Sequence, residues 1–178
     1  METRHSFKNP EMIIAVSALI VSLITAFASI YSAFIDRAYA RSSVWPRLEI
    51  HRSYNDKDSS FAYMVNNKGT GPAVINYARL SYGNTTLKSW SDYLKIHTDH
   101  AVGYTQSHIG SKVLSAGESI KPLELRDAEV TRVLADKDDL QIELCYCSIY
   151  DECWLIDRAN APTPVAQCTI DEKLRFLQ

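Results

Sequence analysis

The sequence predicts one transmembrane helix followed by a mainly β domain, an antiparallel β-sandwich or barrel with one or two short helices. Two observations predict this order. Residues 13–35 contain no charged side chain, and beyond residue 47 short runs rich in Val, Ile and Tyr alternate with turn-forming residues. Such short strands between turns are typical of sandwiches and barrels. The chain is therefore divided into a tail (1–9), a helix (10–40) and a β-domain (41–178).

The helix is predicted from its length and from the residues at its ends. About 23 uncharged residues, rising about 1.5 Å each, span about 34 Å, which is enough to cross a hydrocarbon core of about 30 Å. Asn9 suits the N-cap and Pro10 the first helical position. Asp36 and Arg37 mark the far boundary. These features favour a retained anchor in contact with membrane lipid.

A cleaved signal peptide is the alternative interpretation of this stretch. Residues 38–40, Ala-Tyr-Ala, match the small-x-small cleavage pattern. The apolar run is longer than the core of a signal peptide, which is about 7–15 residues, and two charged residues separate it from the cleavage site. The anchor is therefore the favoured interpretation.

Basic residues near the span predict its orientation. Arg4 and Lys8 precede it, whereas more arginines follow it closely: Arg37, Arg41, Arg47 and Arg52. Cytoplasmic flanks are enriched in Lys and Arg, so we expect a single-pass protein of the inner (cell) membrane with a cytoplasmic β-domain. Thiols in that compartment are kept reduced.

The strands of the β-domain are predicted from alternating apolar and polar residues and from β-branched or aromatic runs. They fall at 48–52, 61–66, 73–82, 85–88, 119–125, 140–146 and 153–156. In the run from Leu140 to Tyr146, every second residue is apolar, so Ile142 and Leu144 should both face the core.

Two short helices are predicted between the strands. The first covers 89–97, with Ser89 as cap, Asp92 at the third helical position, and one apolar side formed by Trp90, Tyr93 and Leu94. The second covers 127–134, with one face formed by Val130, Val133 and Leu134.

The order of motifs resembles a known group of proteins. The span is followed by Ser43-Val44-Trp45-Pro46, then by Asn66-x-x-Gly69-x-Gly71-Pro72-Ala73, and finally by a hairpin at Ser148-Ile149-Tyr150. This order, over about residues 18–154, resembles a loose group of uncharacterised bacterial membrane-anchored proteins with an immunoglobulin-like extramembrane domain. The resemblance implies a bacterial source, an immunoglobulin-like fold and this topology, but no activity. The group often has glycine where this chain has Asp151.

The stretch from Asn66 to Ala73 also permits two interpretations from its residues alone. Two glycines and a proline are typical of a tight crossing between strands, which is the favoured interpretation. The alternative is a nest of backbone N–H groups for an anion. The stretch contains no P-loop or dinucleotide fingerprint.

The cysteines leave three interpretations open. Cys145 and Cys147 lie two apart on one predicted strand, Cys153 follows on its hairpin partner, and Cys168 is distant. Free cysteines that pack as small buried hydrophobes are favoured in a reducing compartment. The alternatives are disulfides or a tetrahedral zinc site, although the spacing differs from the usual Cys-x2–4-Cys pairing.

Catalytic and ligand-binding patterns are few. A metal-dependent enzyme would have to use His97, Asp99, His100 and the later His108. A solvated loop fits these residues better, because the sequence around them does not match a zinc-protease helix. No Gly-x-Ser-x-Gly elbow occurs. No cofactor is expected.

Tyrosines on predicted strands form a candidate base-stacking platform: Tyr63, Tyr77, Tyr82 and Tyr146. Candidate phosphate partners are Arg79, Lys88 and Arg126. Strand tyrosines more often fill the edge of the core with the hydroxyl at the surface, so this is the favoured interpretation and the platform is the alternative. The formal net charge of −2 disfavours duplex nucleic acid as a partner.

The anchor carries a regular pattern of small and polar residues. They follow one another at steps of three and four: Ala15, Ala18, Ser22, Thr25, Ser29, Ser32 and Asp36. Small residues at such spacing let membrane helices approach closely, so we expect self-association through Ser22, Thr25, Ser29 and Ser32. Chance occurrence is the alternative, since small residues are common in membrane helices.

These patterns together favour a membrane-anchored homo-oligomeric sensor–effector. Its β-domain would bind a protein partner or a small ligand, with a nucleotide as one candidate, and bacterial defence is a role that suits the architecture by analogy. A passive membrane adaptor is the first alternative. A membrane-bound metal-dependent enzyme that uses His97 and His100 is the second.

Overall fold

The computed structural model describes residues 10–136 and 139–178. The chain forms two compact units, Met1–Ser42 and Ser43–Gln178. In the described part of the first unit, one helix, α1 (Pro10–Ser43), has no buried residue. Its most apolar window has a mean hydropathy of 2.5, so α1 has the length and composition of a membrane-spanning helix.

The second unit contains two antiparallel sheets and two short helices. In chain order its elements are β1 (Leu48–Asn55), β2 (Ser60–Asn67), β3 (Ala73–Tyr82), β4 (Thr85–Leu87), α2 (Trp90–His97), β5 (Tyr104–Thr105), β6 (Lys112–Leu114), β7 (Ser119–Arg126), α3 (Ala128–Asp136), β8 (Leu140–Cys147), β9 (Cys153–Ile156) and β10 (Thr163–Val165). One sheet has the strand order β1-β2-β7-β5. The other has the order β10-β9-β8-β3-β4, and β6 also pairs with β3.

Both sheets contribute to a single hydrophobic core. The first sheet supplies Ile50, Phe61, Tyr63 and Leu123, and the second supplies Ile75, Leu80, Leu144 and Tyr146. Ile142 and Leu144 are both buried, so the orientation predicted for β8 is confirmed. The alternation of β8 identified its core face because side chains two positions apart point the same way.

The two helices follow their local sequence closely. Ser89 and Asp92 form a reciprocal capping box, with each side chain accepting a hydrogen bond from the other residue's backbone N–H. In α3, Thr131 is buried where the apolar pattern predicted Val133. The Thr131 hydroxyl donates to the Ser59 carbonyl at 2.9 Å, and this bond satisfies the buried polar group.

The prediction of a mainly β chain was too strong. Of the described residues, strands hold 34% and helices 31%, and α1 alone is 34 residues long. The strands β5, β6 and β10 were not predicted, since runs of two or three residues carry no usable alternation. The immunoglobulin-like character of the domain stays a prediction.

The C-terminal tail completes the core of the domain. Phe176 is buried, and its ring lies 5.2 Å from that of Trp90 on α2. The Phe176 amide donates to the Ala78 carbonyl on β3 at 2.9 Å. A segment that carries no strong local pattern therefore packs as part of the fold.

Candidate functional site

The glycine loop (residues 67–72) binds the connector (residues 44–47) that precedes β1. The Lys68 amide donates to the Arg47 carbonyl at 2.7 Å, and the Thr70 amide donates to the Trp45 carbonyl at 2.9 Å. The Gly71 amide shares the Trp45 carbonyl at 3.4 Å. We call this arrangement the connector clamp.

Close backbone approach explains the two glycines of the clamp. A Cβ on Gly69 would lie 2.3 Å from the Trp45 carbonyl oxygen, and a Cβ on Gly71 would lie 1.8 Å from the Val44 carbonyl oxygen. Both contacts are with backbone, which cannot swing aside. The favoured interpretation, a tight crossing, therefore describes this stretch, and the crossing segment is the connector.

Asn67 is the centre of the clamp and is fully buried. Its side-chain oxygen accepts from the amides of Gly69 at 3.0 Å and Arg47 at 3.2 Å. Its side-chain nitrogen donates to the carbonyls of Gly71 at 2.8 Å and Leu114 at 3.0 Å. The sequence motif began at Asn66, but the residue whose side chain makes four hydrogen bonds is Asn67.

The alternative of an anion nest does not fit this geometry. The amides of Lys68, Thr70 and Gly71 donate to connector carbonyls, and the Gly69 amide donates to Asn67. An anion would have to displace the connector to reach them. The loop is thus occupied by the chain itself.

Aromatic rings join the connector to the last hairpin. Trp45 packs edge-on against Trp154 of β9 with centroids 6.4 Å apart, and Trp154 stacks on Tyr146 of β8 at 5.7 Å. The Arg47 guanidinium lies 6.0 Å from the Trp45 ring centroid. The connector is therefore held by hydrogen bonds on one side and by ring contacts on another.

The same hairpin carries three of the four cysteines, and the tail carries the fourth; the four lie close together as two disulfides. Cys145 pairs with Cys168, and Cys147 pairs with Cys153 on the neighbouring strand. The favoured interpretation of free cysteines was therefore wrong for this structure. The tail returns Cys168 to the sheet face that carries Cys145 and Cys147, and local spacing does not reveal this return. We call the four residues the sulfur cluster.

The sulfur cluster is mostly buried, and solvent reaches it at Cys168. Cys145, Cys147 and Cys153 are buried, whereas Cys168 is half-buried. Cys168 lines a surface hollow together with Lys112 and Arg175.

The histidines that were the alternative candidates for metal ligands have other contacts. His97 packs edge-on against Tyr93 with ring centroids 4.9 Å apart and against Tyr82 at 5.1 Å. His100 Nε2 lies 3.1 Å from an Asp127 carboxylate oxygen. Among residues 10–136 and 139–178, these histidines join no group of three metal-ligating side chains. Only the sulfur cluster supplies such a group within that range.

Asp127 has a structural role at the start of α3. One carboxylate oxygen accepts from the amides of Glu129 and Val130, both at 3.0 Å. The Val130 amide, followed by His100, holds the pKa of the Asp127 carboxyl below its usual range.

Burial removes most of the proposed base-stacking platform from solvent. Tyr63, Tyr77 and Tyr146 are buried, and only Tyr82 is half-buried. Tyr63 stacks on Trp90 at 5.9 Å. Burial also raises the pKa of the Tyr77 and Tyr146 hydroxyls. Three of the four candidate positions are therefore core residues, as the favoured interpretation expected, and they offer no exposed ring to a base.

The hydroxyls of the anchor pattern bond within their own helix. Ser22 donates to the Ala18 carbonyl at 2.7 Å, Thr25 to the Val21 carbonyl at 2.5 Å, and Ser29 to the Thr25 carbonyl at 2.8 Å. These side chains are exposed on α1, as is Ser32. Self-association through them stays a prediction.

No protein-family model, curated protein or solved structure matches the chain. Kinship with the bacterial group described above therefore stays a prediction too.

Proposed function

We propose that this protein is a membrane-anchored homo-oligomeric sensor–effector, whose β-domain binds a protein partner or a small ligand and passes that event to the anchor. The connector clamp carries the proposal. Only Val44 lies between the last residue of α1, Ser43, and the bound carbonyl of Trp45. A passive adaptor would work as well on a loose tether, whereas a clamped connector suits a domain whose state must reach the helix.

The exposed face of α1 supports the membrane part of the proposal. In lipid no hydrophobic force drives helices together, so small residues that allow close backbone approach must supply the association. Ser22, Thr25, Ser29 and Ser32 offer such a face. We place the domain on the cytoplasmic side of a bacterial inner membrane because arginines predominate after the span. In that compartment the two disulfides of the sulfur cluster would be reduced. A defence role follows by analogy with this architecture.

A protein partner fits the domain better than a nucleotide, because the tyrosines that would stack on a base are core residues. A metal-dependent enzyme based on His97 and His100 has less support. His97 packs among aromatic rings, and His100 contacts the residue that caps α3. These contacts give both side chains ordinary structural roles.

Induced clustering tests the proposal directly. A ligand-inducible dimerisation domain would be fused through a flexible linker after Gln178, and membrane potential would be followed by dye fluorescence in bacterial cells. A sensor–effector should depolarise the membrane when the ligand is added. No depolarisation by the intact chain, at confirmed membrane expression, would identify a passive adaptor and overturn the proposal.

A matched variant isolates the connector. A flexible Gly-Ser insertion between Ser43 and Val44 leaves the anchor and the clamp unchanged but separates them along the chain. We expect the insertion variant to reach the membrane and to dimerise, yet to lose depolarisation. Equal depolarisation with the insertion would show that the clamp does not transmit the signal.

Reporter fusions at the same C-terminus test the orientation. A fluorescent protein that matures only in the cytoplasm should be bright, and a phosphatase that needs periplasmic disulfides should be inactive. The opposite pair of results would place the domain outside the cytoplasm.

A further inference from the structure

We propose that Cys145, Cys147, Cys153 and Cys168 form a zinc site when their disulfides are reduced. The inference concerns the chemistry of the sulfur cluster and does not depend on the sensor–effector proposal. Zinc in structural sites takes four thiolates in a tetrahedron, with zinc–sulfur distances of about 2.3 Å. The four cysteine sulfur atoms already lie close together.

The positions of the sulfur atoms fit a tetrahedral site. Zinc–sulfur bonds of about 2.3 Å set the tetrahedral sulfur–sulfur edge at about 3.8 Å. The sulfur atoms of Cys147 and Cys168, which belong to different disulfides, are 3.7 Å apart. Those of Cys147, Cys153 and Cys168 all lie within 4.8 Å of one another, and Cys145 is bonded to Cys168. Once the bonded pairs separate, four thiolates surround one centre.

The fold supplies the arrangement that the local spacing lacks. Cys145 and Cys147 point to the same side of β8, and Cys153 lies opposite Cys147 on β9. The tail adds Cys168 as the fourth ligand. The unusual Cys-x-Cys spacing is therefore no obstacle, because the ligands come from two strands and a distant segment.

The surroundings of the cluster suit a site that carries negative charge. Asn76 donates a hydrogen bond from its side-chain nitrogen to the Cys147 sulfur at 3.3 Å, and a donor to a ligating sulfur orients and stabilises the thiolate. Lys112 and Arg175, which pair with Glu118 and Glu172, line the hollow that reaches Cys168. The hollow also gives zinc and a reductant a path to the cluster.

The conversion balances as a four-electron reduction followed by metal binding. Two equivalents of a dithiol reductant of the thioredoxin class each transfer two electrons and two protons to one disulfide, and each becomes a disulfide itself. The four resulting thiols then bind Zn²⁺ as thiolates and release four protons. A reducing compartment favours the zinc form, and an oxidising one favours the two disulfides.

Zinc binding by the purified full-length chain in detergent tests the proposal. The chain would be reduced with a phosphine, mixed with Zn²⁺ and passed through a desalting column, and bound zinc would be measured by mass spectrometry. We expect about one zinc per reduced chain and none per oxidised chain. Co²⁺ should give the charge-transfer absorption of thiolate ligands. A reduced chain that elutes without zinc would overturn the proposal.

Matched variants identify the ligands. Cys168→Ser should lose zinc on the column, whereas a chain with both His97→Ala and His100→Ala should retain it. Asn76→Ala should bind zinc about 10-fold more weakly, because it removes the hydrogen-bond donor to a ligand sulfur. Equal zinc binding by Cys168→Ser and the original chain would also overturn the proposal.

Circular dichroism covers the case in which reduction unfolds the domain. If zinc then restores the native spectrum of the reduced chain, the site contributes to folding as structural zinc sites do. A reduced chain that stays unfolded in excess zinc would contradict the proposal.

Discussion

The anchor and the connector clamp both contain polar side chains that bond backbone groups, but the partners lie within the same helix in the anchor and in distant segments in the clamp. On α1 the hydroxyls of Ser22 and Ser29 each bond a carbonyl four residues back. In the clamp, Asn67 bonds Arg47, 20 residues away, and Leu114, 47 residues away. The first pattern holds no tertiary structure together, and the second joins three segments of the chain.

This difference shows what a polar residue contributes in each setting. A hydroxyl that bonds its own helix has already used its donor, so its value on the helix surface lies mainly in its small size. A buried amide with four backbone partners, two of them in distant segments, cannot be replaced without leaving backbone groups unsatisfied. The clamp should therefore be sensitive to substitutions that the anchor tolerates.

The largest effect is expected for Gly71→Ala. The added Cβ would lie 1.8 Å from the Val44 carbonyl oxygen, so the connector or the glycine loop must move. We expect a loss of about 4 kcal/mol or more in the free energy of unfolding, measured by denaturant titration of the full-length chain in detergent. Gly103→Ala is the control, because a Cβ there meets no atom within 4 Å. Equal free energies of unfolding for Gly71→Ala and Gly103→Ala would show that the connector does not pack closely against Gly71.

Asn67→Ala should follow in magnitude. It removes the side-chain oxygen that accepts from the Arg47 and Gly69 amides. It also removes the side-chain nitrogen that donates to the Gly71 and Leu114 carbonyls. We therefore expect a loss of about 2–4 kcal/mol in the free energy of unfolding by the same titration. The neighbouring substitution Asn66→Ala is the control and should cost about 1 kcal/mol or less, because Asn66 is only half-buried. If Asn66→Ala destabilised the chain more than Asn67→Ala, Asn67 would not be the centre of the clamp.

The anchor should respond to size rather than to hydroxyl loss. Ser22→Leu with Ser29→Leu should weaken self-association about 10-fold, or about 1.4 kcal/mol, because the larger side chains wedge the helices apart. Ser22→Ala with Ser29→Ala should associate almost as well as the original, since both hydroxyls bond their own helix. A transmembrane-association reporter that carries residues 10–41 would measure both.

A third pair of substitutions checks the face of α1 that is used. Leu23→Ala with Ile30→Ala, which lie mostly off the pattern, should change association much less. If the leucine pair at positions 22 and 29 associates as well as the original, the pattern arose by chance. An oligomer would then have to be built by the β-domain.

The smallest effect is expected at the cap of α3. The pKa of the Asp127 carboxyl is lowered in the folded state, so its contribution to stability is present above the unfolded pKa, about 4, and is lost as pH falls through the folded pKa. Asp127→Asn keeps a capping oxygen but does not titrate. The original chain should be more stable than this variant at pH 7 by less than about 1 kcal/mol, since the site is partly solvated.

Thermal unfolding at pH 7 and pH 3 would measure this difference. The two chains should converge at the lower pH. A constant difference across that range would mean that the carboxylate charge contributes nothing.

The sequence by itself determined the anchor, α2 and the longer strands. Each depends on neighbours along the chain: an uncharged run for α1, a capping box at Ser89 and Asp92, and the alternation of β8. Interactions between residues a few positions apart can be inferred from order alone. The burial of Ile142 and Leu144 follows from the same alternation.

Only the tertiary structure decided the sulfur cluster, the role of Asn67 and the burial of Phe176. Each depends on segments that are distant in sequence: Cys168 returns to β8, the connector lies against the glycine loop, and the tail places Phe176 beside Trp90. Local composition at these positions is compatible with many packings. The assembled sheets select one packing through their shape and through the buried polar groups that still need hydrogen-bond partners. No local stretch of the sequence contains this information.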